Sequence, residues 1–298
     1  MISIIASDMD GTLLNDKMEV SDENAKAIKL AQANGIEFIV ATGRQLAEAK
    51  PLLAAQDIHP AFITLNGAQV YDELGKLAVN IPLSKRAIDY ITKTLRAEGL
   101  YFELVTDEGV VSDNKAQRIQ TVADLLATLN PGTPYKLAVV LASARLELMN
   151  IHYVDNYQEI IANPKREILK IIAFSKGDYS SLDKPRQLFS DDPDLVVTSS
   201  SANNIEINDR RAQKGFALEA YAKQRGIKMS QAMAIGDNLN DKSMIRMAGI
   251  GVAMGNANPV IKKLANYQTA TNVENGVAKA IRHAIAFNAS ELYEMTHR

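Results

Sequence analysis

The stretch Ile2-Ser3-Ile4-Ile5-Ala6-Ser7-Asp8-Met9-Asp10-Gly11-Thr12 decides the fold. A mostly apolar run, Ile2 to Ala6, leads straight into two carboxylates and a glycine, the pattern of a buried strand that ends in a polar turn. Four more short apolar runs end in polar or glycine-containing turns: Glu37 to Ala41, Ala61 to Leu65, Ala232 to Gly236 and Gly249 to Met254. Helical periodicity fills the spaces between them. Ser21 is placed to cap a helix with Asp22 and Glu23 in its first turn, Ala25, Ile28 and Ala31 or Ala33 on its buried face, and Gly35 at its end. Strand, helix, strand implies a parallel sheet covered by helices, that is, a doubly wound α/β core.

Outward from this frame the texture changes. From about Ser84 to Asn208 a helical segment is twice followed by a pair of short strands. Ser84 to Glu98 precedes Tyr101 to Val105 and Gly109 to Ser112, and Tyr179 to Phe189 precedes Leu195 to Ser199 and Ile205 to Ile207, with Ala202 to Asn204 as the second turn. The reading is a core of residues 1–83 and 209–298 with an inserted α+β domain over 84–208. The length of 298 residues suits two domains or one domain carrying a large insertion. Asn258-Pro259 reads as an N-cap and first helical residue, and Gly276 to Ile285 as a closing amphipathic helix.

The composition narrows the function classes. With 47% hydrophobic and 23% charged residues the chain is globular, and a net charge of −2 supplies no field for nucleic acid or an anionic membrane. Any bound anion must therefore meet local cations. The absence of cysteine removes disulfides, thiolate zinc sites and cysteine nucleophiles. The first apolar run is too short for a signal-peptide core, and no stretch approaches the length of a membrane span, so a cytoplasmic protein is expected.

In an open parallel sheet, ligands bind beyond the carboxyl ends of the strands. Here those ends are Asp8-Met9-Asp10-Gly11-Thr12, Thr42-Gly43-Arg44, Asn66-Gly67 and Asp237-Asn238-Leu239-Asn240-Asp241. Hard cations such as Mg²⁺ take oxygen ligands, often one or two carboxylates with water and a substrate phosphate, and Asp8 with Asp237 can supply that set. Carboxylates also serve as covalent nucleophiles in phosphoryl transfer, and Asp8 is the choice for that role. Because Gly11 turns the chain, Asp10 can swing over a substrate while its carbonyl faces the metal, giving one nucleophile and one proton donor. A carboxylate brought to about 3.5 Å from a phosphate oxygen costs roughly 5 kcal/mol per charge pair at an effective dielectric of about 20, so compensating charge is required. Lys214, at the start of a helical stretch ending near Arg225, is placed to be a second cation. Thr42 and the amides of Gly43 and Arg44 would hold further phosphate oxygens, with Gly11 beside them.

Taken in order, Asp8 to Thr12, Thr42, Lys214-Gly215 and Gly236-Asp237 to Asp241 resemble the four motifs of the haloacid dehalogenase superfamily. The resemblance spans nearly the whole chain. Val252-Ala253-Met254-Gly255-Asn256-Ala257 and Asn275-Gly276-Val277-Ala278 are similar to its Cof-type branch, which carries a large α+β cap between the second and third motifs. The resemblance implies a phosphatase with an aspartyl phosphate on Asp8, Asp10 as general acid and then base, and Mg²⁺ held by Asp8, the Asp10 carbonyl and Asp237. It also implies phosphate contacts from Thr42, Lys214 and Asn240, and a cap that closes over a small-molecule phosphate ester. Sugar phosphates come first, with nucleotide and cofactor phosphates as alternatives. The lead Arg210-Arg211-Ala212-Gln213 is more basic than that family's usual approach to its lysine.

Other readings stand beside these. Asp241 is a further metal ligand or a complement to a helix dipole, Arg44 a substrate contact or a surface residue, and Asn66-Gly67 a substrate contact or a left-handed turn. His59, His152, His283 and His297 lack a two-histidine metal spacing, Lys262-Lys263 reads as a solvated helix face, and Asn288-Ala289-Ser290 fits a glycosylation acceptor without a secretion signal. A phosphomutase with the same intermediate, a phospho-accepting signalling module and a phosphate-binding regulatory protein are the rival functions. A monomer or a homodimer fits equally.

Overall fold

The computed structural model describes residues 1–147, 151–175, 178–199, 201 and 203–296. In chain order the strands are β1 (Ile4–Asp8), β2 (Glu37–Ala41), β3 (Ala61–Thr64), β4 (Gln69–Tyr71), β5 (Leu77–Asn80), β6 (Tyr101–Thr106) and β7 (Gly109–Ser112). They continue with β8 (Ile151–Tyr153), β9 (Ile168–Phe174), β10 (Leu195–Thr198), β11 (Asn204–Asp209), β12 (Ala232–Gly236), β13 (Ile250–Ala253) and β14 (Tyr267–Gln268). The chain divides into two compact units, Met1–Ile81 with Arg211–Arg298, and Pro82–Arg210.

The first unit is built on a sheet of order β14-β13-β12-β1-β2-β3-β4-β5. The six strands from β14 to β3 run parallel, and β4 and β5 extend the β3 edge antiparallel. The chain winds from β1 outward through β2 and β3, then returns to the other side of β1 with β12. The strand order therefore reverses between β1 and β12, whose carboxyl ends meet at a topological switch point. β1 and β12 are buried on both faces, which is why they read as continuous apolar runs and not as alternation. Ile4, Ile5, Ile39, Val40, Met233 and Ile235 lie at the centre of the core, each side chain of this size contributing about 1.5–3 kcal/mol on burial.

The capping chemistry matches the sequence signals. Ser21 accepts a hydrogen bond from Asn24 N–H at the start of helix Asp22–Ala33, and Asn258 accepts from Val260 N–H ahead of helix Pro259–Leu264. The last helix starts at Gly276 as expected but runs on to Thr296. Its Asn288 pins the entry to the first strand: Oδ1 accepts from Ile2 N–H at 2.6 Å and Nδ2 donates to the Ile2 carbonyl at 2.7 Å. The glycosylation-like triplet is thus a structural clasp.

The second unit is an antiparallel sheet of order β10-β11-β9-β6-β7-β8, with β7 and β8 alone pairing in parallel. Both expected hairpins are present, and helices Lys85–Ala97 and Asp183–Ser190 precede them as the sequence suggests. Ala202, in the second turn, lies outside the described residues. One sheet face carries Phe102, Leu104, Ile171, Ala173, Ile205 and Ile207 into an apolar cluster. The opposite face carries buried polar groups, among them Lys170 on Glu206 at 2.8 Å and Tyr101 O–H on Glu103 at 2.6 Å. Helices Lys115–Leu129 and Tyr135–Glu147, absent from the sequence reading, pack on each other through Ala123, Ala138 and Ala142. The doubly wound parallel core and the inserted α+β domain are the fold class expected. No helix among the described residues is long and apolar enough to cross a membrane.

Candidate active site

The switch point gathers three carboxylates and one lysine. β1 delivers Asp8, the turn after β12 delivers Asp237 and Asp241, and Lys214 opens helix Lys214–Gln224. One ligand atom from each of Asp8, Asp237 and Asp241 lies within 4.8 Å of the others. The Lys214 ammonium, fully buried, donates to Asp8 Oδ1 at 2.5 Å and to Asp241 Oδ1 at 2.6 Å. Charge-assisted bonds of this kind are stronger than neutral ones and compensate a buried cation.

Burial lowers the proton affinity of Lys214, but Asp241 and Asp8 outweigh it and hold the ammonium above its ordinary range. Asp8 moves well above the usual carboxylate range, first through burial and then through repulsion from Asp241, with Lys214 opposing both. Asp237 is raised by burial, and a hydrogen bond from Thr12 Oγ1 at 2.8 Å works against that. One buried cation faces three carboxylates, so the cluster keeps surplus negative charge. Oxygen donors in a concentrated negative site suit a hard divalent cation, which would offset the burial and the carboxylate repulsion that raise Asp8 and Asp237.

The two oxygens of Asp241 are both engaged. Oδ1 takes Lys214, and Oδ2 accepts from the backbone N–H groups of Asp237 and Asn238, each at 2.9 Å. Asp241 therefore fixes the turn that presents Asp237 and anchors the lysine. Asp10 is not part of this cluster and is half-exposed, on the turn formed by Met9–Leu13. Gly11 makes that turn possible at φ 78°, and a Cβ there would stand 2.7 Å from Asp237 Oδ2. Arg44 meets Asp10 directly, with Nε donating to Oδ2 at 2.9 Å and Nη2 to Oδ1 at 2.5 Å.

Thr42 is buried at the end of β2, where its Oγ1 accepts from Arg44 N–H at 3.1 Å and caps the turn through Gly43. Asn66 is buried after β3 and accepts from Asn240 Nδ2 at 3.1 Å. The expected residues thus form one cluster and two pairs. Asp8, Asp237, Asp241 and Lys214 are joined by direct contacts, with Gly11 against Asp237. Asp10 with Arg44 and Asn66 with Asn240 form pairs at the same strand ends.

Four contacts escaped the sequence reading. Thr12 closes the Asp8–Thr12 motif, and its hydroxyl orients Asp237. Ser243 Oγ accepts from Gly215 N–H at 2.9 Å and so ties the lysine helix to the helix that begins at Lys242. Asn256 Nδ2 donates to the Gly11 carbonyl at 2.7 Å and Asn272 Nδ2 to that of Leu14 at 2.9 Å, so both hold the Asp10 turn. Lys262 is not merely solvated, because its Nζ donates to the Gly255 carbonyl at 2.5 Å. His297 lies outside the described residues, and none of the other three histidines joins the carboxylate cluster.

Comparison with known proteins gives the family of the chain. Residues 5–281 match the family model of haloacid dehalogenase-like hydrolases. The chain is 34% identical over 286 residues to phosphatase YwpJ of Bacillus subtilis, covering 95% of this chain and 100% of that protein. It is also 34% identical over 282 residues to the 5-amino-6-(5-phospho-D-ribitylamino)uracil phosphatase YcsE of Bacillus subtilis, covering 95% of each. HMP-PP phosphatase of Serratia proteamaculans is 28% identical over 264 residues, covering 89% of this chain and 88% of that one. Among solved structures, a haloacid dehalogenase-like hydrolase from B. subtilis superposes with a TM-score of 0.80 at 33% identity, covering 95% of this chain and 99% of that chain.

Proposed function

The chain belongs to the haloacid dehalogenase-like hydrolases and is a phosphoric monoester hydrolase, and we propose that it works through an aspartyl phosphate on Asp8 with Mg²⁺ as cofactor. The observation that carries this reading is the bridge of Lys214 between Asp8 and Asp241 at the β1/β12 switch point. A carboxylate bridged in this way has a fixed orientation, and a buried ammonium in contact with it supports Lys214 as the cation that meets the phosphate charge.

In the first step an Asp8 oxygen attacks phosphorus, the ester P–O bond breaks, and the leaving oxygen takes its electron pair and a proton from Asp10. In the second, Asp10 accepts a proton from water as the water oxygen attacks the same phosphorus, and the P–O bond to Asp8 breaks to restore the carboxylate and release inorganic phosphate. Asp8, Asp237 and the Asp10 carbonyl would hold Mg²⁺, which when bound neutralises charge on the carboxylate and phosphate oxygens. Asp241 serves this arrangement by holding Lys214 and the Asp237 turn. Thr42, Gly43 and Asn240 contact the phosphate oxygens, and Arg44 steadies Asp10.

The substrate is a small phosphorylated metabolite, sugar phosphates before nucleotide or cofactor phosphates. Relatives named for 5-amino-6-(5-phospho-D-ribitylamino)uracil and for HMP-PP lend support to small phosphate esters. Residues 84–208 are the part of this chain that selects among them. Inorganic phosphate release from an aryl phosphate, with and without Mg²⁺, tests the reading. Native protein should turn over only with the metal, and Asp8→Asn should lose at least about 10³-fold in kcat, as loss of a nucleophile does. Native-like turnover by Asp8→Asn would remove Asp8 from the mechanism.

A further inference from the structure

The turn after β3 passes through three consecutive residues of left-handed backbone: Leu65 at φ 51°, Asn66 at φ 60° and Gly67 at φ 112°. For leucine above all this conformation is unfavourable, and it persists only where the surroundings over-determine it. They do so here from two sides. Leu65 N–H donates to the Arg44 carbonyl and Asn66 N–H to the Thr42 carbonyl, both at 3.0 Å. On the other side Gly67 lies flush against the backbone that leads into Lys214, where a Cβ would sit 2.5 Å from the Gln213 carbonyl carbon. The side chain held between these anchors is buried, and its Oδ1 takes the hydrogen bond from Asn240.

One short turn therefore touches the Thr42–Arg44 segment, the residue preceding Lys214, and Asn240. We propose that Asn66 is a positioning residue, aimed by this strained turn so that its amide holds Asn240, and that it acts on the phosphate through Asn240. The inference rests on Asn240 being a phosphate contact in the function proposed above. A residue that met the substrate itself would add its own loss to that of Asn240. A residue that only shaped the turn would change stability and leave phosphate binding alone.

A double-mutant cycle with Asn66→Gly and Asn240→Ala separates these cases. Glycine takes positive φ without cost, so Asn66→Gly keeps the turn and removes only the amide, and its Tm should stay within about 2 °C of native. KM for an aryl phosphate and the inhibition constant of inorganic phosphate should each rise about tenfold in either single variant, with kcat changed less than about threefold. The double variant should be no more than about twofold worse than Asn240→Ala alone, because residues acting as a unit are not additive. Losses that multiply to about a hundredfold would overturn the proposal, as would an Asn66→Gly protein with lowered Tm and native KM. Asn66→Ala, which removes the same amide but keeps the strain, should match Asn66→Gly in KM while melting lower. If the native enzyme releases no phosphate, the proposed function fails and this inference with it; multiplying losses in an active native enzyme defeat this inference alone.

Discussion

Arg44 grips both carboxylate oxygens of Asp10, Nε on Oδ2 at 2.9 Å and Nη2 on Oδ1 at 2.5 Å. The side chains retain 28% and 46% of their accessible surface, so the pair contributes only about 0–1 kcal/mol to stability. Its worth lies in direction, since a two-pronged guanidinium fixes the plane of a carboxylate as an ammonium cannot. Arg44→Ala and Arg44→Lys should both lower kcat/KM for an alkyl phosphate about 10- to 100-fold while leaving Tm nearly unchanged. An aryl phosphate, whose leaving oxygen needs little protonation, should lose far less, because kcat/KM reports steps only through the first transfer. Equal losses on both substrates would mean that Arg44 serves the phosphate and not Asp10.

The carboxylate cluster sets how metal binding should vary with pH. Burial raises Asp8 and Asp237 above the ordinary value of 3.8, so the folded protein holds these protons more tightly than the unfolded chain does. Stability from these groups is therefore present at low pH and is lost as pH rises past 3.8 through the raised range. Mg²⁺ binds the ionised forms, so its increment in Tm should grow as pH rises above 3.8 through the raised range, with about 2.7 kcal/mol of stabilisation at a hundred times Kd once both groups are ionised. Thermal melts in chelator and in Mg²⁺ across that range read the increment directly. An increment independent of pH, or one that survives Asp237→Asn unchanged, would contradict metal binding at these carboxylates.

The core and its strand ends were legible because each depends on local pattern. A strand buried on both faces writes itself as an apolar run, and the residue that ends it is fixed by the same few letters, which is how Asp8 and Asp237 could be placed at one edge. The inserted unit was harder to read. β9 pairs with both β6 and β11, yet it carries a buried lysine, Lys170, whose partner Glu206 lies 36 residues away. Helix Tyr135–Glu147 has apolar residues on every side, so it offers no 3.6-residue stripe to find. The roles of Arg44, Asn66 and Asp241 depend on which way a side chain turns toward residues on other elements. For Asn66 and Asn240 the separation is 174 residues, and no short-range periodicity encodes that meeting.

Asn288 separates stability from catalysis in the same chain. Its amide satisfies both backbone groups of Ile2, two residues ahead of β1, across a separation of 286 residues. Removing the amide would leave a partly buried donor and acceptor without these bonds, at about 1–3 kcal/mol, and release the entry to the central strand. The carboxyl end of β1, where Asp8 lies, is held independently by β2 and β12 and by Lys214. Asn288→Ala should therefore lower Tm by about 2–6 °C with kcat and KM within about twofold of native below the transition. A fall in kcat with Tm unchanged would show that the clasp at Ile2 governs the active site and not the stability of the sheet.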